Sequence, residues 1–122
     1  MTNASPAVSS FIQACVADGQ DDWIPPREVF VNARLAAERY QEPTQNVLNS
    51  GLSEMILGGY FEVGEVVENP TGDGLFFLPK NVTKSESLSY LEQYYANDTD
   101  PNEMGFEFWL NLTEEGQALA RD

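Results

Sequence analysis

Acidic side chains surround one tryptophan in the last quarter of the chain. Asp98, Asp100 and Glu103 lie in a polar segment, and Glu107 and Trp109 follow in a run that alternates between apolar and polar residues. Carboxylates attract lysine and arginine, and tryptophan is enriched among the residues that dominate binding energy at protein interfaces. These five residues therefore predict a surface that recognises a basic protein partner without any covalent step.

The position of Trp109 in its run leaves two interpretations open. Alternation over residues 106–112 predicts a strand whose core-facing positions are Phe106, Phe108, Leu110 and Leu112. Trp109 then points the other way. It is either an exposed anchor for the partner, or it is covered by Leu88, Leu91 or Tyr95 of a predicted helix and forms a second small core.

The residue types that usually carry out catalysis at neutral pH are scarce. The chain has no histidine, and its single cysteine, Cys15, falls on an apolar helical face where a thiol is inert. Residues 98–102 begin like a calcium-binding loop, but Glu103 stands where that loop needs glycine and Trp109 stands where it needs glutamate. We therefore expect no catalytic residue, no metal and no cofactor, and we expect that the protein is not an enzyme.

The charge of the chain is strongly negative and unevenly distributed. Twenty acids against six bases give a net charge of −14. Residues 1–59 hold seven acids and three bases, whereas residues 60–122 hold thirteen acids and three bases. Such a charge repels nucleic acid and anionic membranes and favours cationic partners. An electrostatic function is thus predicted for the second half, the alternative being that the acids form a solvated surface that only maintains solubility.

Length and composition predict a single domain that spans residues 1–122. Hydrophobic residues make up 42% of the chain, enough for one modest core. The N-terminus shows neither a basic region nor an apolar run, so no signal peptide is expected. No stretch approaches the roughly 18 apolar residues of a membrane-spanning helix. We therefore expect a cytoplasmic protein, and the sequence leaves its oligomeric state open.

The elements that must position the acidic residues are organised around the segment 46–67. Its apolar residues first recur at spacings of three and four, which predicts a helix. Gly58 and Gly59 offer a residue with positive φ that ends this helix. Aromatic and β-branched residues then predict a strand over residues 60–67, with a bulge at Gly64.

The flanking segments complete an α+β layout of three N-terminal helices, a small antiparallel sheet and one inserted helix. The other predicted helices cover residues 5–19, 26–40, 85–95 and 113–120, with Ser85 and Thr44 as predicted caps of their helices. The other predicted strands cover residues 75–78 and 106–112, the first of them forming a hairpin with the strand at 60–67. The predicted core consists of Phe11, Ile12, Phe30, Leu48, Leu52, Ile56, Phe61, Phe108 and Leu110.

Two segments resemble bacterial winged-helix regulators of the MarR and PadR kind. Residues 110–120, LNLTEEGQALA, are similar to the end of their wing, where a strand runs into an LTxxGxxL helix start. Residues 53–61, SEMILGGYF, resemble their passage from the recognition helix into the first wing strand. The resemblance implies a winged helix-turn-helix with a helix inserted in the wing, and it implies a transcriptional regulator by analogy alone. The layout also resembles small acidic actinobacterial proteins, which implies no activity.

The positions where such a regulator would touch DNA oppose that function. Residues 43–59 hold no lysine or arginine, and residues 62–74 hold four acids and no base. Phosphate contacts supply much of protein–DNA affinity, so only a dimer that combines Arg27, Arg34 and Arg39 could bind. We therefore predict a non-enzymatic acidic interaction module, such as an immunity or antagonist protein that neutralises a basic partner or mimics nucleic-acid charge. The alternative is a winged-helix regulator that binds DNA as a dimer.

Overall fold

A computed structural model describes residues 5–96 and 100–121, and these residues form an α+β arrangement of five α-helices and a three-stranded antiparallel sheet. This confirms the predicted class. No helix in these two ranges is both long enough and apolar enough to cross a bilayer. The elements in chain order are α1 (Pro6–Asp21), α2 (Pro26–Tyr40), α3 (Thr44–Leu57), β1 (Phe61–Glu68), β2 (Leu75–Pro79), α4 (Lys84–Ala96), a 3₁₀ turn (Pro101–Glu103), β3 (Trp109–Leu112) and α5 (Glu114–Arg121).

Helices α1, α2 and α3 pack against one another and form the helical half of the core. The Ser5 hydroxyl caps α1 by accepting a hydrogen bond from the Val8 amide at 3.2 Å. Phe11 of α1 lies directly against the backbone of α3 at Gly51. A Cβ atom built on Gly51 would lie 2.3 Å from the Phe11 ring, so this contact requires glycine. Phe11 is consequently fully buried between the two helices.

One predicted helix end is confirmed, and another is wrong. The backbone of Gly59 has a φ of +79°, as expected where a glycine follows a helix and the chain turns into a strand. By contrast, α1 continues through Gly19 to Asp21 and does not stop at the glycine. Gly19 faces the sheet, where a Cβ atom would come within 3.0 Å of Leu112. The glycine thus serves close packing and does not end the helix.

Two predicted helix caps are also corrected. Helix α4 begins at Lys84, and Thr83 caps it in place of Ser85. The Thr83 hydroxyl accepts from the Glu86 amide at 3.1 Å, and the Glu86 carboxylate accepts from the Thr83 amide at 3.1 Å, which is a reciprocal capping box. Thr44 lies inside α3, which has Pro43 at its N-cap position and no side-chain cap.

The predicted hairpin between β1 and β2 is confirmed, and β3 pairs on the other side of β1, so that the strand order is β2-β1-β3. Strand β1 is central, and its first half pairs with β3 while its second half pairs with β2. The backbone of Ile24, in the link before α2, forms an isolated antiparallel bridge with Leu110 on the far side of β3. Among the described residues, β2 has no neighbour on its outer edge, and β3 has only this single bridge on its own.

Gly64 does not form the predicted bulge. The pairing register of β1 runs without interruption through Gly64, which lies opposite Pro79 on β2 and opposite Trp109 on β3. A Cβ atom on Gly64 would lie 2.2 Å from the Leu78 carbonyl oxygen and 2.7 Å from the Phe77 ring. The glycine therefore permits the close approach of β2. The alternation of apolar and polar side chains along β1 is interrupted at this position because glycine has no side chain.

Most of the predicted core is confirmed. Seven of its nine members are at most 2% exposed, namely Phe11, Leu48, Leu52, Ile56, Phe61, Phe108 and Leu110. Ile12 and Phe30 are only partly buried, contrary to prediction, because both lie at the rim of the core and pack against its outer members. Phe30 stacks on Tyr95 of α4, with ring centroids 6.5 Å apart.

The inserted helix α4 closes the core with aromatic residues. Its tyrosines Tyr90, Tyr94 and Tyr95 pack edge-to-face around the buried Phe108 ring, with centroid distances from 5.2 to 6.1 Å. The Tyr95 hydroxyl donates to the Pro26 carbonyl oxygen at 2.7 Å. Helix α4 thus contacts both the start of α2, through this hydrogen bond, and the segment that leads into β3, through Phe108.

Candidate partner-binding surface

The strand that carries Trp109 is shorter than predicted, and Phe106 is not in the core. Strand β3 begins at Trp109, where its pairing with Gly64 of β1 marks the end of the ladder. Phe106 precedes the paired residues and is 70% exposed, so its predicted core orientation is wrong. Alternation holds from Phe108 onward because only there do neighbouring elements pack against the chain.

Trp109 is partly buried, and its cover is Phe106. The two rings stack almost in parallel, with centroids 5.2 Å apart and an interplanar angle of 7°. The aromatic residues of α4 pack instead on Phe108, the preceding residue, which has the opposite orientation. Trp109 therefore lies on the outer face of the sheet under an exposed ring, and α4 packs through Phe108 on the one hydrophobic core of the described residues, so the predicted second small core is not present there.

The outer face of the sheet carries a third aromatic ring on the other side of Gly64. A side chain at Gly64 would point toward the same face as the directly opposed Trp109, and the space it would fill is occupied by the Phe77 ring. Phe106, Trp109 and Phe77 thus lie on the same face of the sheet, and we call these three residues the aromatic row. Such a row on an otherwise open sheet face has the composition of an interface centre.

Carboxylates flank the aromatic row along β1. Glu62, Gly64 and Glu68 alternate with inward residues and so share the outer face. Asn111, opposite Glu62 on β3, donates a hydrogen bond to the Glu62 carboxylate at 3.1 Å. Because strand residues rise about 3.3 Å each, the two glutamates lie within roughly 15 Å of Gly64, on opposite sides of the row.

Glu107 is exposed, as is its neighbour Phe106, and two hydrogen bonds hold its carboxylate in place. The Tyr94 hydroxyl donates to one Glu107 oxygen at 2.8 Å, and the Gly105 amide donates to the same oxygen at 3.1 Å. The hydrogen bond from Tyr94 lowers the pKa of Glu107 below its ordinary value. The pKa of Tyr94 is raised, first by burial and then by this hydrogen bond. Glu107 is therefore an ionised, oriented carboxylate next to Phe106 in the chain.

The loop acids occupy a different place. Asp100 caps the 3₁₀ turn by accepting a hydrogen bond from the Asn102 amide at 2.9 Å, and Glu103 is exposed at the end of that turn. The turn packs near α2. Within the described ranges, no hydrogen bond joins either acid to Glu107 or Trp109. Asp98, the fifth predicted residue of the surface, lies outside the described residues.

Sequence reasoning missed Phe77 and misplaced Phe106. A usable signal was present in Gly64, because a glycine inside a strand often marks the close approach of another group. The pairing register places Phe77 diagonally across from this glycine, and it depends on contacts between the two strands that neither strand's sequence shows alone.

The described residues contain no group of three or more acidic, cysteine or histidine side chains that could hold a metal ion. Cys15 is fully buried, and its Sγ accepts a long hydrogen bond of 3.7 Å from the Asn32 amide. Burial raises the pKa of the Cys15 thiol to about 12, so a thiolate nucleophile does not form there near neutral pH.

Uncovering Trp109 should increase its accessibility to small quenchers. In a Trp23→Phe background, Phe106→Ala removes the ring that stacks on Trp109, so the acrylamide quenching constant should rise about twofold, as the ring changes from partly to mostly accessible. Leu35→Ala on α2 is the control, since it shortens an exposed side chain far from the stack in sequence. An unchanged quenching constant after Phe106→Ala would contradict the stacking described here.

Comparison with protein-family models, with curated proteins and with solved structures gave no match for this chain.

Proposed function

We propose that this protein is a non-enzymatic acidic module that binds a basic protein partner through the outer face of its sheet. The observation that carries the proposal is the exposed, stacked pair of Phe106 and Trp109 with the oriented carboxylate of Glu107 between them in the chain. A large aromatic ring that is 70% exposed stabilises no core. The ring offers an arginine a stacking face, and the Glu107 carboxylate, which Tyr94 of α4 holds, offers an ion-pair partner to another cation of the same basic protein.

The energies favour a partner with several cations. One cation–π contact at an exposed site contributes about 0.5–1 kcal/mol, and one exposed ion pair contributes a similar amount. Tight binding therefore requires several such contacts, and Glu62 and Glu68 on the same face supply further carboxylates. The net charge of −14 accelerates encounter with a positively charged molecule. An immunity or antagonist protein that neutralises a basic enzyme, or that mimics nucleic-acid charge, fits these requirements.

We also propose that the fold is a winged helix with α4 inserted in the wing. Three helices followed by the β1–β2 hairpin and β3 have the element order of that fold, and α3 would be its recognition helix. Helix α3 bears Glu54 and no cation, which supports a role other than phosphate contact. On α2, Arg34 pairs with Glu38 at 3.8 Å and Arg39 lies over the Tyr40 ring at 5.3 Å, so these two arginines already have local partners.

Binding of a fluorescein-labelled nona-arginine peptide tests the proposed surface. We expect saturable binding that weakens as salt rises, and about a threefold to tenfold loss of affinity for each of Phe106→Ala and Glu107→Gln, which corresponds to about 0.7–1.4 kcal/mol. Glu28→Gln on α2 is the control with the same change of charge, and it should leave affinity within about twofold.

Two outcomes would overturn the proposal. Equal losses for Glu107→Gln and Glu28→Gln, with no effect of Phe106→Ala, would show that the peptide senses only the total charge. Binding of duplex DNA tighter than about micromolar at physiological salt, with a steep salt dependence, would favour the DNA-binding regulator.

A further inference from the structure

A cleft opens beside the first half of β1, where β2 no longer runs next to it. The ladder between the two strands ends at the pair of Gly64 and Pro79. One further bond follows, from the Lys80 amide to the Val63 carbonyl oxygen at 2.9 Å, and the chain then leaves β1 and enters α4. The cleft has a volume of about 370 Å³, within the range of small-molecule sites. Residues of α3 and α4 also line it, so it lies on the helical side of the sheet.

The backbone of Phe61 presents one unpaired donor and one unpaired acceptor to this cleft. Bonding groups alternate between the two edges of a strand. The Tyr60 carbonyl oxygen accepts from the Thr113 amide on the β3 side at 3.0 Å, and the Val63 carbonyl oxygen bonds on the β2 side. The N–H and C=O of Phe61 therefore point away from β3, where no described residue pairs with them. Phe61 is only 2% exposed, and buried backbone groups normally have partners, so these two groups favour a polar ligand.

The hydroxyl of Ser87 is a second polar group in the cleft without a partner. Ser87 belongs to α4 and is only 8% exposed, and its hydroxyl forms no hydrogen bond with another described residue. Within the described ranges, every completely buried side-chain oxygen or nitrogen has a partner. The Ser87 hydroxyl must therefore reach the surface of the cleft that the residue lines. A hydroxyl can donate or accept a hydrogen bond, so it is available to a ligand there.

A cation and an anion line the cleft without pairing to each other. A Cβ atom built on Gly59 would lie 3.1 Å from the Lys84 Nζ atom, which places this ammonium group beside the turn between α3 and β1. Glu115 lines the same cleft from the first turn of α5. Among the described residues, no carboxylate forms an ion pair with Lys84. Both charges are therefore available to a third group.

The two other charged residues that line the cleft are engaged elsewhere. The Lys80 ammonium lies 3.5 Å from the centre of the Tyr90 ring, so Lys80 contributes its stem to the cleft. The Glu62 carboxylate accepts a hydrogen bond from Asn111 and lies on the outer face of the sheet. The charges that remain for a ligand are those of Lys84 and Glu115.

We propose that this cleft binds a free α-amino acid with an apolar side chain. The ligand carboxylate contacts the Lys84 ammonium and accepts hydrogen bonds from the Phe61 amide and the Ser87 hydroxyl. The ligand ammonium contacts the Glu115 carboxylate and donates to the Phe61 carbonyl oxygen. An α-amino acid satisfies all of these groups together because it carries both charges on neighbouring atoms.

The remaining lining and the net charge of the chain favour this ligand over a simple ion. Ile56, Pro79 and Val82 give the cleft an apolar wall that suits an aliphatic side chain. A chain with a net charge of −14 repels a free anion, whereas an amino acid has no net charge and is not repelled. A peptide terminus carries only one of the two charges. This proposal is independent of the proposed function, whose surface lies on the other face of the sheet.

Titration of the full chain with L-leucine, followed through backbone amide chemical shifts by nuclear magnetic resonance, tests the site. We expect the amides of Phe61 and Ser87 to shift, with a dissociation constant in about the millimolar range. Isocaproate is leucine without its ammonium, and isoamylamine is leucine without its carboxylate. At physiological salt, which screens long-range charge, each of them should bind about tenfold more weakly than leucine.

Two matched pairs of variants assign the charges. Lys84→Met should raise the dissociation constant of leucine about tenfold and leave that of isoamylamine within about twofold. Lys80→Met makes the same change of charge at an ammonium outside the cleft, and it should leave leucine binding within about twofold. Glu115→Gln should likewise weaken leucine binding about threefold to tenfold, with its exposed neighbour as the control in Glu114→Gln. Circular dichroism confirms that each variant is folded.

Three results would overturn the proposal. The first is the absence of shifts at Phe61 and Ser87 with leucine at about 10 mM, well above the expected dissociation constant. The second is equal affinity of the wild-type chain for leucine and isocaproate, which would show a site for simple anions. The third is an equal loss in Lys84→Met and Lys80→Met, which would show that leucine senses only the total charge.

Discussion

Replacing Phe108 with alanine should lower the free energy of unfolding by about 3–5 kcal/mol, which makes this one of the most damaging single changes in the chain. The Phe108 side chain is fully buried, and its ring contacts Tyr90, Tyr94 and Tyr95 of α4. Its removal leaves a cavity between α4 and the sheet that the stiff aromatic neighbours cannot fill. Urea denaturation followed by circular dichroism measures the change.

Phe106→Ala is the matched control for this prediction. The two phenylalanines lie two positions apart, yet Phe106 is 70% exposed and contacts Trp109 on the outer face. Its replacement should change the free energy of unfolding by no more than about 1 kcal/mol. Similar losses in both variants would contradict the orientation of residues 106–109 described here.

Leu52→Ala should cost about 2–5 kcal/mol, because this side chain is fully buried in the middle of α3. Helix α3 packs against α1, α2 and α4, so a cavity at Leu52 weakens several contacts of the core together. The same denaturation experiment measures this loss. A change below about 1 kcal/mol would show that α3 presents another face to the core.

Leu57→Ala provides the comparison within the same helix and the same residue type. Leu57 ends α3 and is 48% exposed. Its shortening should therefore cost no more than about 1 kcal/mol. Both variants make the same substitution and remove the same number of atoms. The difference between their free energies of unfolding therefore measures mainly the effect of burial.

The helices and the hairpin could be predicted because their signals are local. Apolar spacing of three and four is a property of one segment, and it located α2 and α3 and placed Leu52 on the buried face. The role of Gly59 after α3 could also be predicted, because the positive φ needed there depends on the residue type at that one position. Two short apolar runs close together in the chain, residues 60–67 and 75–78, likewise predicted the β1–β2 hairpin, which the register confirms.

The errors arose where a contact between distant segments decides the outcome. Phe106 fits an alternating strand, but its segment has no partner strand on which to continue the pattern. Gly19 and Gly64 suggested a helix end and a bulge, yet both are sites of close packing against another element. Ile12 and Phe30 lie on the apolar faces of their helices, but the sequence does not show where along such a face the buried core ends. The candidate surface shared this limit, since the Phe106–Trp109 stack follows from the position of one unpaired residue.

The buried thiol of Cys15 can be used to measure how often the helical core opens transiently. The sulfur is shielded completely between the helices, and its raised pKa keeps it protonated near neutral pH. A thiol reagent can therefore modify the protein only during excursions in which α1 separates from its neighbours. Because the sequence has no second cysteine, the rate of thiol labelling measures how often this separation of α1 occurs, and no mutation or added probe is needed.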